Sequence, residues 1–137
     1  MYYRKHALLF LVLTLASAVL FLACGGYGGS TYPAPNTTGS TVQVVSCATV
    51  TADASVSIAA LAFSPASVNI PVNGVVKWTN NDGITHTVTS TTVPTNGTFN
   101  TSLNNGTSVC LKFTEAGAFN YQCSIHPVMT GLVTVNP

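Results

Sequence analysis

The chain has 137 residues, enough for one domain once any targeting segment is set aside. Lys, Arg, Asp and Glu make up only 5% of it, and the formal net charge is +1. So few cations exclude a nucleic-acid surface, because a row of phosphates would go unneutralised; the 47% hydrophobic content, rich in Val and Thr, excludes a disordered chain. Arg4 and Lys5 stand at the extreme N-terminus, and beyond them Lys77 and Lys112 face Asp53, Asp82 and Glu115. There are three histidines in all, His6 among them, and that scarcity limits the chemistry more than any other count.

From Ala7 to Ala23 the chain is apolar except for Thr14 and Ser17. A basic start and an apolar run ending in small residues predict an export signal over residues 1–23. The stretch L-F-L-A-C-G-G resembles a bacterial lipobox, in which the signal is cut before a Cys that then carries lipid; Phe21 stands where Leu is usual. Cys24 is then the lipidated residue. An uncleaved anchor helix, for which the run is just long enough, and an ordinary secretory signal are the other readings. In each case the remainder lies outside the cytoplasm, and the lipobox reading anchors it to the cell envelope, in the periplasm or at the cell surface. Residues 24–46 are rich in Gly, Pro and Thr and read as a flexible tether with a reach of roughly 25 Å.

The globular domain is expected over residues 47–137. Val56 and Ile58 alternate with polar residues, as do Val68, Ile70 and Val72, then Val76 and Trp78, then His86 and Val88. Val109, Leu111 and Phe113 follow, then Phe119, Tyr121 and Cys123, and finally Val133 and Val135. This period of two, with turn signals such as Asn73-Gly74, Asn81-Asp82-Gly83 and Asn104-Asn105-Gly106, predicts short half-buried strands. No helix-period segment follows the signal, so the domain is all-β, an antiparallel sandwich or barrel. The abundant Thr suits exposed strand faces rather than a nucleophile.

Four candidate metal ligands stand beyond the tether: His86, Cys123, His126 and Met129. The last three are spaced Cys-x2-His-x2-Met in C-S-I-H-P-V-M, and His86 lies 37 residues before Cys123 at the start of another strand. Singly, a strand His is more often a satisfied polar residue, a free Cys a small buried hydrophobe and a Met a gap filler. Together they are a set for copper: two imidazoles and a thiolate in a trigonal arrangement, with a weak axial thioether. Zinc would ordinarily take another Cys, His or carboxylate in place of the Met.

From about Val56 to Val135 the chain resembles the cupredoxins, the blue copper proteins of the plastocyanin and amicyanin type. The resemblance rests on F-S-P near Phe63, V-V-K-W-T-N-N-D near Trp78, I-T-H-T-V-T around His86, F-T-E-A-G-A-F-N-Y-Q-C-S-I-H-P-V-M-T-G and the final V-T-V. The short ligand loop, with Pro127 directly after His126, is similar to that of amicyanin. The resemblance implies a Greek-key β-sandwich of about eight strands holding one type 1 copper, with Cys123 as thiolate, His86 and His126 as imidazoles and Met129 as axial ligand. It departs from the family at Thr87, where plastocyanin and amicyanin carry an Asn that ties the two ligand loops together; a Thr hydroxyl is suited to take over that bond.

With Cys24 lipidated and Cys123 on copper, Cys47 and Cys110 remain, and an oxidising compartment favours a disulfide between them. Cys110 falls on the face away from the core, where an N-terminal segment could pack. The closed loop of about 64 residues would contribute roughly 4 kcal/mol in the chain-entropy model. Two unpaired thiols or a link to another chain are the alternatives. Multicopper oxidases and copper nitrite reductases need further imidazoles, and none is left once His86 and His126 are committed, so no enzyme is expected. The reading is a monomeric, membrane-tethered carrier of single electrons, docking redox partners through an apolar collar of Ile84, Pro94, Pro127 and Val128 near His126. The alternative is a copper-binding lipoprotein for storage or delivery, although the Met- or His-rich tracts of such proteins are missing.

Overall fold

The alternation in the sequence becomes an alternation of inward and outward side chains on two stacked sheets. The computed structural model describes residues 39–137; the export signal, Cys24 and the tether up to residue 38 lie outside the described residues. Ten strands follow one another: β1 (Val42–Val45), β2 (Ala54–Ala59), β3 (Ala62–Ser64), β4 (Ser67–Pro71), β5 (Val75–Asn80), β6 (His86–Ser90), β7 (Asn100–Leu103), β8 (Ser108–Phe113), β9 (Gly117–Gln122) and β10 (Thr130–Asn136). Among the described residues there is no helix. One sheet has the order β1-β8-β5-β2-β3 and the other β4-β10-β9-β6-β7. The fold is an all-β sandwich, with ten strands where about eight are expected.

The sheets are not purely antiparallel, as alternation alone suggests. The chain leaves the first sheet to form β4 and returns as β5, which lies parallel to β2; the last strand, β10, lies parallel to β4. Three strands are absent from the alternating sets. β3 has three residues, and β7 turns only Leu103 fully inward, so neither shows a period. The third, β1, falls where composition assigns a tether. Residues 42–45 instead pair with the edge of β8, Val42 opposite Phe113 and Val45 opposite Cys110. Burying Val42 on the core and filling an open sheet edge outweigh the polar composition around it. Just past β1, Cys47 is joined to Cys110 by a disulfide with a Cα–Cα distance of 5.3 Å. Cys110 lies between two core residues, Val109 and Leu111, yet is itself outside the core cluster, buried beneath the β1 edge.

Trp78, Phe113, Phe119 and Tyr121 are the largest fully buried side chains. Tyr121 meets Trp78 edge-on at 5.5 Å and Phe63 at 4.9 Å, while Phe119 meets Phe113 at 4.9 Å. Burial of each such ring stabilises the fold by about 1.5–3 kcal/mol. Seating Tyr121 requires Gly131 directly across the β9–β10 ladder, because a Cβ there would fall on the tyrosine ring. With the middle of the sandwich filled by aromatic rings, polar chemistry is left to its ends.

Candidate metal centre

His86 opens β6, Cys123 follows the last residue of β9, and His126 and Met129 lie in the loop leading to β10. β6 and β9 are neighbours, with Thr89 opposite Gln122, so the pairing carries His86 to the side of Cys123. The ligand loop closes on itself: the Cys123 N–H donates to the Met129 carbonyl at 3.0 Å, and the Met129 N–H donates to the His126 carbonyl at 2.9 Å. Met129 is thereby folded back into the core beside Cys123. The Nδ1 atoms of His86 and His126 each lie 3.7 Å from Cys123 Sγ. One ligand atom from each of the three residues lies within 4.8 Å of the others. His86 and Cys123 have no exposed surface, and only His126 is partly open to solvent.

This spacing fits a metal. Bonds of about 2.0 Å to imidazole nitrogen and about 2.3 Å to thiolate sulfur, meeting at about 120°, separate the two atoms by about 3.7 Å. The two-nitrogen, one-sulfur set, with the buried Met129 as the candidate fourth donor, suits a single copper ion better than zinc.

The surroundings of the thiol favour its ionised form. Burial pushes the Cys123 thiol up, but the Thr87 amide, the His86 ring, the His126 amide and the His126 ring together outweigh it and bring the pKa down to about 6. The Thr87 N–H donates to Sγ at 3.3 Å. Its hydroxyl accepts the Ser124 N–H at 2.7 Å and shares hydrogen bonds of 2.9 Å with the hydroxyls of Ser124 and Thr89. Thr87 therefore ties the β6 ligand to the Cys123 loop, where plastocyanin and amicyanin use Asn. The same bonds explain why β6 breaks the alternation: His86, Thr87 and Val88 are all buried. Pro127, exposed in the loop, makes no such tie.

A second support passes unnoticed in the sequence, where Asn81-Asp82-Gly83 reads only as a turn. Asp82 Oδ2 lies 3.2 Å from His86 Nε2 and accepts the Leu61 N–H at 3.0 Å. The Asp82 carboxyl is held below its ordinary range, chiefly by the Leu61 amide; partial burial opposes this, and His86 and the Gly83 amide add to it. Asn80, wholly buried, anchors the turn by accepting the Asp82 N–H through Oδ1 at 2.9 Å and donating to the carbonyls of Ile84 and Leu103 at 2.8 and 2.9 Å.

The apolar surface at this end differs from the expected collar. Pro94 packs on Gly117, at the start of β9, and so lies about 20 Å from the copper end at 3.3 Å per residue. The chain after β6 runs back along β9, with the Thr91 N–H donating to the Asn120 carbonyl, and that carries Pro94 to the opposite end of the sandwich. Ile84, Ile125 and Val128 are the large exposed apolar side chains beside the ligands, Val128 at 90% exposure, and Leu61 joins them through its bond to Asp82. Ile125 and Leu61 are not part of the expected collar.

The sequence profile of copper binding proteins of the plastocyanin/azurin family matches residues 50–136. A comparison with curated protein sequences gives no match. Among solved structures, a purple cupredoxin from Nitrosopumilus maritimus is 36% identical, with a TM-score of 0.55 over 61% of this chain and 100% of its own. A reduced Cu(I) form of a proline-to-glycine variant of amicyanin is 27% identical, with a TM-score of 0.62 over 70% of this chain and 99% of its own. An oxidised methionine-to-lysine variant of amicyanin is 26% identical, with the same TM-score and coverage. A profile match across the sandwich, together with two imidazoles and a thiolate at copper-binding separations, means that the chain belongs to the plastocyanin/azurin family of copper-binding proteins.

Proposed function

We propose that this protein carries single electrons at the cell envelope, tethered to a membrane through lipid on Cys24. The cofactor is one copper, and the His86, Cys123, His126 and Met129 group fits a blue copper electron carrier. When bound, copper supplies the Cu(I)/Cu(II) couple. The residues supply the rest. Cys123 and the two imidazoles form a donor set that suits both oxidation states, and the Thr87–Ser124 and Asp82–His86 bonds hold these donors in place.

The observation that carries the reading is the pair of Nδ1 atoms each 3.7 Å from Cys123 Sγ, at the end of the sandwich where Ile84, Ile125 and Val128 are exposed. Electrons enter and leave at the solvent-side edge of His126, the one imidazole of the pair that reaches the surface. The surrounding apolar rim docks redox partners in brief encounters, which need fast release more than affinity. Both histidines among the described residues are committed to this one centre, which leaves no second metal site for substrate chemistry and favours a carrier over an enzyme.

Copper titration of the protein, followed by visible absorption and electron paramagnetic resonance, tests the reading. The expected result is an intense thiolate-to-copper band that bleaches on reduction, returns on oxidation and disappears in Cys123→Ala. Tight Cu(I) binding without that band would assign the protein to copper storage or delivery instead.

A further inference from the structure

His86 has two ring nitrogens and each is spoken for. Nδ1 faces Cys123 Sγ, and a metal there requires it to carry no proton. Nε2 therefore carries the hydrogen, and it points at Asp82 Oδ2, 3.2 Å away. The same carboxylate oxygen accepts the Leu61 N–H at 3.0 Å, and Asp82 Oδ1 accepts the Gly83 N–H at 3.2 Å. Leu61 belongs to the two-residue turn between β2 and β3 on the other sheet. Both turn residues have positive φ, 50° at Ala60 and 59° at Leu61, a geometry that normally calls for Asn and Gly. Neither Ala nor Leu favours it locally, and such strain persists only where the surroundings hold it. Besides the β2–β3 pairing, the turn is held by the bond from the Leu61 N–H to the carboxylate that also faces His86.

We propose that Asp82 is the positioning residue of the copper centre: its carboxylate fixes the ring orientation and proton position of His86, and the β2–β3 turn holds that carboxylate through the Leu61 amide. The inference rests on His86 being a copper ligand, and it goes beyond that by making a turn of the opposite sheet part of the centre. A carboxylate behind an imidazole ligand has two consequences. It fixes the tautomer and makes the ring a stronger donor, and its negative charge favours the more positive Cu(II) over Cu(I).

The test uses full-length protein loaded with copper, comparing wild type with Asp82→Asn and Asp82→Ala. Three properties are read: the reduction potential, the electron paramagnetic resonance spectrum of the oxidised form, and amide exchange at Leu61 in the diamagnetic reduced form. Asp82→Asn keeps an acceptor of the same shape without the charge. It is expected to retain the visible band while shifting the Cu(II)/Cu(I) balance toward Cu(I) by about tenfold, a rise of about 59 mV for a one-electron couple. Asp82→Ala is expected to shift the potential the same way, to change the copper hyperfine splitting and to speed Leu61 amide exchange at least about tenfold, since it removes the acceptor that protects that amide.

Unchanged potential and hyperfine splitting in both variants would overturn the proposal while leaving the copper reading intact. A wild type that never develops the band would overturn the copper reading and this inference with it. If Asp82→Ala does not fold, the potential of Asp82→Asn decides alone.

Discussion

At the residue scale, two buried hydroxyls have opposite roles. The Thr87 hydroxyl is the acceptor for the Ser124 N–H and a partner to two further hydroxyls, so it is fully used. Thr87→Val keeps the shape and strands the Ser124 amide. It is expected to cost about 1–2 kcal/mol of stability, measured by urea unfolding of the copper-free protein. The Tyr121 hydroxyl is buried without a hydrogen-bond partner, and so is the indole nitrogen of Trp78. Burial pushes the Tyr121 pKa up to about 12, and the nearby Trp78 N–H draws it back only in part, since the two do not meet in hydrogen-bonding geometry. In the unfolded chain the phenol ionises near its ordinary value of 10.0, so between about pH 10 and 12 the unfolded state sheds a proton that the folded state keeps. Stability therefore falls as pH rises through that window, by roughly 2–3 kcal/mol from this group. Tyr121→Phe is expected to flatten the alkaline loss in unfolding curves taken at pH 8 to about pH 12, and to cost little at neutral pH because no hydrogen bond is lost.

At the scale of the element, the connection between β9 and β10 carries three of the four candidate ligands, and the spacing of these two strands depends on one small residue. Gly131→Ala places a methyl group against the Tyr121 ring and is expected to destabilise the protein by about 1–3 kcal/mol, read as a lowered melting temperature. The strands legible in the sequence are those whose inward residues recur every second position: Val76 and Trp78 on β5, Val109, Leu111 and Phe113 on β8, Phe119 and Tyr121 on β9. β1, β3 and β7 were illegible because each is short and turns at most one side chain fully inward, so no period develops. The same distinction holds at the centre. His86, Cys123, His126 and Met129 stand out by residue type and spacing, which metal chemistry dictates. Asp82 does not, because its role depends on the β2–β3 turn coming to it from the other sheet, and Pro94 misleads because only the pairing along β9 shows which end of the sandwich it occupies.

At the scale of the whole molecule, the charges are few and, except for Asp82, placed away from the rim. Apart from Asp82, the charged residues of the described domain are Asp53, Lys77, Lys112 and Glu115, none of them in the ligand loops. Long-range steering of partners is correspondingly weak. Reduction rates with a partner protein are expected to change less than about threefold between low and physiological ionic strength, where a charge-steered pair would slow steeply; stopped-flow kinetics across a salt series checks this.

All four candidate ligands, meanwhile, are carried by strands and loops of one sheet, while the Cys47–Cys110 bond fastens β1 to the other. Tension arriving from the N-terminal side can therefore peel away only the short run up to Ser46 before it meets a covalent stop. Beyond that stop the load enters β8, in the sheet that holds no ligand. The junction works as strain relief on a cable: a tug is taken up by the casing, and the conductor inside stays still.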